Sequence, residues 1–349
     1  MEQAARSVLA LCAFAGCSAE PLQRPPLDVF TERVSLAVLD EHPPCAGDLA
    51  ELDAHLGEVE QLSGLTRSEP IKVHLGSTEN DCDDAFVACY RPDLDAVFTP
   101  WQSIHHELGH AVDMGQIDFD STFWSEGFAE VSAGRISKKS RLESLTVDHF
   151  SDEHPLVNYV TTGHLARYLV ETQGWERYRS VLENGVEDTL RISAQSLVNE
   201  YESNSPAAYP PRSPCPYPPL AVENDLRWSE RVTFSCESPE ATQYEYLRSS
   251  RTRGAAILRS VELEAGTYEL QSDGGEGVIL LGCLMDERDE SPEPDFDADV
   301  PVEVDDSLGQ SFPSGTSHQI TLRRGTYRLA VSSGSEEETT VEVHLRRIE

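Results

Sequence analysis

Two imidazoles four residues apart, with a carboxylate beside the first, stand at His106-Glu107-Leu108-Gly109-His110. On a helix, positions i and i+4 share one face with their Cβ atoms about 6 Å apart, so both rings can offer neutral nitrogens to one Zn²⁺. Glu107, one position on, can reach a zinc-bound water and take its proton. A further carboxylate follows in Trp124-Ser125-Glu126-Gly127-Phe128-Ala129-Glu130. Carried on a second helix, Glu126 completes a His₂Glu set with one open position, which is the catalytic arrangement rather than the closed structural one. His105 precedes His106 and lies about 100° round the helix, so it reads as a packing or supporting residue and not as a ligand.

His106-Glu107-x-x-His110 followed by Trp124-x-Glu126-Gly127-x-Ala129-Glu130 resembles the gluzincin metallopeptidases, the clan of thermolysin and the aminopeptidase N group. The likeness is strongest to their bacterial peptidase MA-like relatives and covers about residues 30–200. It implies an α+β zincin fold, with His106, His110 and Glu126 as zinc ligands and Glu107 as general base. Glu130 matches the carboxylate that orients a ligating imidazole. Tyr159-x-x-x-Gly163-x-x-x-x-Tyr168-Leu169 resembles a helix of the same proteins. By that resemblance Tyr159 stabilises the oxyanion of the tetrahedral state; its other reading is an aromatic packed at a helix start. His149, His154 and His164 are weaker candidates for the same role. No G-x-M-E-N type segment is present, so the resemblance implies an endopeptidase and no hold on a free amino terminus.

The elements that must carry these residues are legible in the apolar spacing. Val34, Leu36 and Val38 alternate as a strand; Leu49, Leu52, Leu56, Val59 and Leu62 recur as a helix; Ile71, Val73 and Leu75 alternate again. Residues 85–99 read as a hairpin turning at Pro92-Asp93, with an edge strand at about 94–99 beside the metal helix, suited to bind an extended peptide. Helices follow from about 155 to 200. Seven prolines between Pro206 and Pro219 mark a stiff linker or an arm laid on a surface. Beyond them, Val261–Leu270 parallels Ile320–Leu329, and each reads as a β-hairpin about a Gly turn. The repeat suggests a β-sandwich resembling the bacterial pre-peptidase C-terminal domain. Few contacts are expected across the proline boundary, so each half should fold alone.

At the N-terminus, Arg6 precedes a short apolar run, Val8 to Ala15, ending in Phe14-Ala15-Gly16-Cys17. The run is too short to span a bilayer and looks like a bacterial lipoprotein signal, cleaved before a lipid-bearing Cys17; the other reading is a buried apolar segment with a free cysteine. The organisation expected is therefore a signal peptide (1–16), a tether (17–28), a gluzincin-like catalytic domain (29–201), a proline-rich linker (202–222) and an all-β sandwich (223–349). An even set of cysteines remains after Cys17, which in an exported chain suggests disulfides. Cys82 and Cys89 are the expected pair; one of Cys215, Cys236 and Cys283 reaches Cys45 or stays free.

A formal net charge of −35 argues against a nucleic-acid partner and against charge-driven binding to anionic membranes, leaving the N-terminal lipid as the one membrane contact. Residues 286–306 hold eleven acidic side chains, but Val300 stands where a Ca²⁺ loop needs Gly, so they read as a solvated loop. The function expected is a zinc-dependent peptidase of the cell envelope, at the outer membrane or cell surface, acting on a peptide or protein substrate. The alternative is an inactive zincin scaffold acting as a binding module, its sandwich holding an extracellular polymer or surface ligand. An intact Glu107 speaks against the alternative, because a scaffold has no need of a base.

Overall fold

The alternating apolar residues Val34, Leu36, Ile71, Val73, Leu75 and Val97 are all buried in one core with the metal-motif helix. The computed structural model describes residues 26–39, 43–76, 81–82, 87–113, 117, 121–134, 137–139, 144–150, 158–220, 225–242, 255–275, 277–285, 310–332 and 338–348. Cys17 and the signal segment, His154 and the acidic run 286–306 lie outside the described residues.

Strand β1 (Val29–Phe30) pairs antiparallel with β2 (Val34–Val38), and helix α1 (Ala46–Ser63) crosses over to β3 (Ile71–Leu75), parallel to β2. Strand β4 (Cys89–Arg91) turns back into β5 (Ala96–Thr99), which runs parallel to β3. The order in the sheet is β1-β2-β3-β5-β4. The edge strand is therefore β4, and the expectation of an edge at 94–99 is corrected. The reason is burial: Ala96, Val97, Phe98 and Thr99 are all buried, whereas Cys89-Tyr90-Arg91 is half-exposed, so the apolar arm of the hairpin takes the interior place.

Helices α2 (Ile104–Asp113) and α3 (Thr122–Ser132) follow, then β6 (Ser137–Lys138), α4 (Tyr159–Gln173), α5 (Trp175–Leu190) and α6 (Ala194–Asn204). Helix α4 starts at Asn158, whose side chain accepts the Thr161 N–H at 3.2 Å, and α6 starts at Ser193, which accepts that of Ser196 at 3.2 Å. Two glycines let the helices approach closely. A Cβ on Gly109 would meet Ala129 Cα at 2.9 Å, and one on Gly163 would meet Glu130 Cβ at 2.7 Å. Helix α3 is thus pressed between α2 and α4, which is what brings groups on separate helices together.

Strand β7 (Ala208–Tyr209) pairs with β6, and β8 (Asp225–Thr233), β9 (Ala241–Thr242), β10 (Ala256–Leu263), β11 (Gly266–Asp273), β12 (Gly277–Met285), β13 (Gln310–Pro313), β14 (Ser317–Leu322), β15 (Gly325–Ser332) and β16 (Glu338–Arg347) follow. They form two sheets, β13-β12-β15-β10-β9 and β14-β11-β16-β8, whose inner faces share one apolar core. The two repeats are not hairpins. Strand β10 pairs with β15, and β11 with β14, so each Gly turn carries the chain from one sheet to the other. The physical reason is a tyrosine corner in both copies. Tyr268 Oη donates to the Glu264 carbonyl, and Tyr327 Oη to the Arg323 carbonyl, each at 2.7 Å. The repeats pair with each other about a local two-fold, Leu263 opposite Gly325 and Gly266 opposite Leu322.

The proline-rich segment is an arm joined to both halves. Arg212 N–H donates to Gly134 at 2.7 Å and Ser213 N–H to Cys283 at 2.8 Å, while Cys215 is bonded to Cys283. Tyr217 is buried and donates its hydroxyl to Glu51 of α1 at 2.8 Å. Arg328 of β15 meets the same carboxylate at 2.6 Å, with side chains 6% and 1% exposed. At the N-terminus of α1, Cys45 is disulfide-bonded to Cys236, and Asp48 accepts the Thr242 hydroxyl. The expectation of few contacts across this boundary is corrected: the Cys45–Cys236 disulfide and the buried Glu51–Arg328 ion pair cross it.

Candidate metal centre

The whole of α2 is buried, so His106 and His110 are positioned by the packing of the helix that carries them. His105 points away from His106, its ring centroid 4.4 Å from that of His55 on α1, which is a packing role. His106 and His110 turn the same way, their Nε2 atoms 3.2 Å apart. Glu126 on α3 completes the group: its Oε2 lies 3.1 Å from His106 Nε2 and 3.2 Å from His110 Nε2. Donors bound to zinc at about 2.0–2.1 Å on the corners of a tetrahedron stand about 3.3 Å apart, so this triangle has the size of such a set with one corner left over. The residues fit a zinc ion.

The other ring nitrogens are held as well. Glu130 Oε1 lies 2.9 Å from His106 Nδ1, and Ser125 Oγ lies 3.2 Å from His110 Nδ1. Asp113, buried at the end of α2, lies 3.9 Å from the same His110 nitrogen. These groups orient both rings with Nε2 turned toward Glu126, where a metal would sit. Glu130 was legible in the sequence; Ser125 and Asp113 were not singled out, although Asp113 at i+3 from His110 is a signal that could have found it.

Charge in the metal-free site follows from this packing. Burial pulls the His106 imidazolium down, but hydrogen bonds to Glu126 and Glu130 outweigh it and push the pKa up to about 10. Burial pushes Glu126 up, and His106 with His110 outweighs it, bringing the carboxylate down to about 2. Metal binding must therefore expel a proton from His106. Below pH 10 the apparent zinc affinity should fall by up to about tenfold for each unit of acidification. Zinc titrations in buffers of differing ionisation enthalpy would detect the released proton, and an affinity flat between pH 6 and 8 would contradict this.

Glu107, Glu126, both histidines and Tyr159 line a cleft of about 370 Å³, together with Ala88, Tyr90 and the Cys82–Cys89 disulfide. Glu107 is buried, which pushes its pKa up, and the charges of His110 and His106 and the Tyr90 N–H act in the opposite sense. Tyr159 is 42% exposed, its ring centroid 5.6 Å from that of His106. Burial, then the charges of Glu126, Glu107 and Glu130, raise its pKa to about 12, so the phenol keeps its proton. His164 and His149 do not line the cleft. His164 is buried against Tyr201, 2.9 Å from its hydroxyl, and His149 is held by Thr146.

Removing Glu126 takes away one of three donors, so Glu126→Ala should lose most of its zinc. Glu130→Ala should cost about 10–100-fold in affinity or activity, as loss of a supporting partner does. Metal content after dialysis ranks the two; the reverse ranking would move the third ligand one turn along α3.

No family model matches the chain, and no curated protein does. Among solved structures it is similar to PliG of Salmonella Typhimurium, a periplasmic inhibitor of g-type lysozyme, at 13% identity over 37% of this chain and 95% of that one. The TM-score is 0.20, too low for the likeness to bear on fold or activity. Three disulfides among the described residues, Cys45–Cys236, Cys82–Cys89 and Cys215–Cys283, suit an exported protein. No described helix is long and apolar enough to cross a membrane.

Proposed function

We propose that this protein is a zinc-dependent metalloendopeptidase of the gluzincin type, acting outside the cytoplasm. The observation that carries the reading is the triangle of His106 Nε2, His110 Nε2 and Glu126 Oε2, with all three ligand atoms within 4.8 Å of one another. It opens on a cleft that also holds Glu107 and Tyr159 beside the edge strand β4. Zinc held there would supply Lewis acidity, making a water nucleophilic near neutral pH and polarising the scissile carbonyl. Glu107 takes the proton from the attacking water and delivers it to the leaving amine. Its raised pKa suits a group that must both accept and release a proton. Tyr159, protonated at neutral pH, donates a hydrogen bond to the oxyanion. As an edge strand, β4 is placed to pair with an extended substrate along its main chain.

Cleavage profiling of a proteome with purified residues 18–349, with and without a chelator, tests the reading. Chelator-sensitive cuts restored by zinc support it; one zinc per chain with no cuts would point to a binding scaffold.

Anchoring belongs to the same proposal. Processing before Cys17 and acylation of its thiol would place the protein in the cell envelope as a lipoprotein, at the outer membrane or cell surface. Cys17→Ala should release it from the membrane fraction or block processing. Mass spectrometry finding an intact Met1 on the mature protein would remove the lipoprotein claim.

A further inference from the structure

We propose that Arg67, Asp95 and Tyr90 are positioning residues for Glu107, forming a brace that holds the cleft wall β4 against the metal helix. The proposal rests on the reading of Glu107 as the base. Strand β4 has three residues and a single neighbouring strand, β5, which is too little pairing to fix it by itself. One end is held by the Cys89–Cys82 disulfide. The other leads into the turn at Asp95, whose φ of 47° is left-handed backbone that a residue with a Cβ adopts at a cost. Asp95 is kept there by two donors: Arg67 Nη2 at 2.6 Å and the Tyr90 hydroxyl at 2.9 Å, both to Oδ1. The second arm of Arg67 reaches α2, where Nη1 donates to the Ala111 carbonyl at 3.2 Å, one residue beyond His110.

The circuit closes at the cleft, which Tyr90 and Glu107 both line, with the Tyr90 N–H opposing the rise in the Glu107 pKa. Arg67 and Asp95 do not line the cleft, so they act on the base through β4 and through the hold of Arg67 on α2. The ion pair persists at neutral pH. Burial pulls Arg67 down but Asp95 outweighs it, and burial pushes Asp95 up but the hydrogen bonds from Arg67 and Tyr90 outweigh it.

The test compares Tyr90→Phe, Arg67→Ala and the double variant with the wild type in the full mature chain. Amide exchange in the metal-free protein reads the brace without hydrolysis. The Tyr90 N–H should exchange at least tenfold faster in each variant, and in Glu107→Ala, while the amides of β3 stay protected. In the zinc-loaded protein each variant should keep one zinc per chain, and kcat should fall by up to about a hundredfold at nearly unchanged KM, because the base is misplaced. The double variant should lose no more than the worse single one, since both break one unit. Wild-type exchange at Tyr90, or acceleration spread equally over β3, would overturn the brace. If the wild type shows no zinc-dependent hydrolysis, the peptidase reading fails on its own, and the exchange at Tyr90 still decides this one.

Discussion

Glu107→Gln is expected to keep one zinc per chain and to lose about 10²–10⁴-fold in peptide hydrolysis. The amide has nearly the shape of the carboxylate and still faces Tyr90 across the cleft, so the cleft wall stays in place. What it cannot do is take a proton. The atoms placed to hold a metal are those of His106, His110 and Glu126, and Glu107 is not among them, so metal content should not change. Metal analysis and turnover on one peptide, made on the same preparation, separate the roles. Zinc loss in the variant would make Glu107 a ligand, and retained turnover would remove it as the base.

Cutting the chain after Asn204 is expected to abolish soluble, zinc-competent protein. The boundary looks like a linker in sequence, yet the truncation would strip Arg328 and Tyr217 from Glu51, which is 1% exposed, and Cys236 from Cys45. Glu51 sits on α1, which packs against the metal helix through His55 and His105. Arg328→Ala isolates one component: a buried carboxylate losing its cation costs about 3–5 kcal/mol. Thermal or urea unfolding of the full-length variant measures it. A loss below about 1 kcal/mol, in the range of exposed pairs, would show that Glu51 is relieved in another way. A soluble fragment ending at Asn204 that binds zinc would restore the view of two separable halves.

Sequence and structure agree where the signal is local. The strands at Val34–Val38 and Ile71–Leu75 and the helix at Ala46–Ser63 follow from apolar periods of two and of about 3.6. The motif His106-Glu107-x-x-His110 names two donors because spacing along one helix sets their distance. The short loop Cys82 to Cys89 named its own disulfide. Pairings that depend on which surfaces meet were less legible. Val261–Leu270 has the alternation of a hairpin, and only the closing of Tyr268 onto the Glu264 carbonyl turns it into a corner between sheets. Cys215, Cys236 and Cys283 were interchangeable as candidates for Cys45, because nothing local distinguishes them.

What the sequence by itself determined is therefore the chemistry on offer: two imidazoles at helical spacing, the carboxylates of Glu107 and Glu126, and a helix with Tyr159 at its start. Those are properties of residue type and short spacing. Tertiary structure alone decided that the donors converge, because Gly109 lets α3 approach α2 until Glu126 comes within 3.2 Å of both rings. It also decided that Cys89-Tyr90-Arg91, not the more apolar strand after it, forms the edge of the sheet and the wall of the cleft. And it decided that the proline arm joins the halves rather than separating them, through Glu51 and Arg328, residues 277 positions apart. A buried charge gains its partner only when the chain has closed around it, and no local pattern records that.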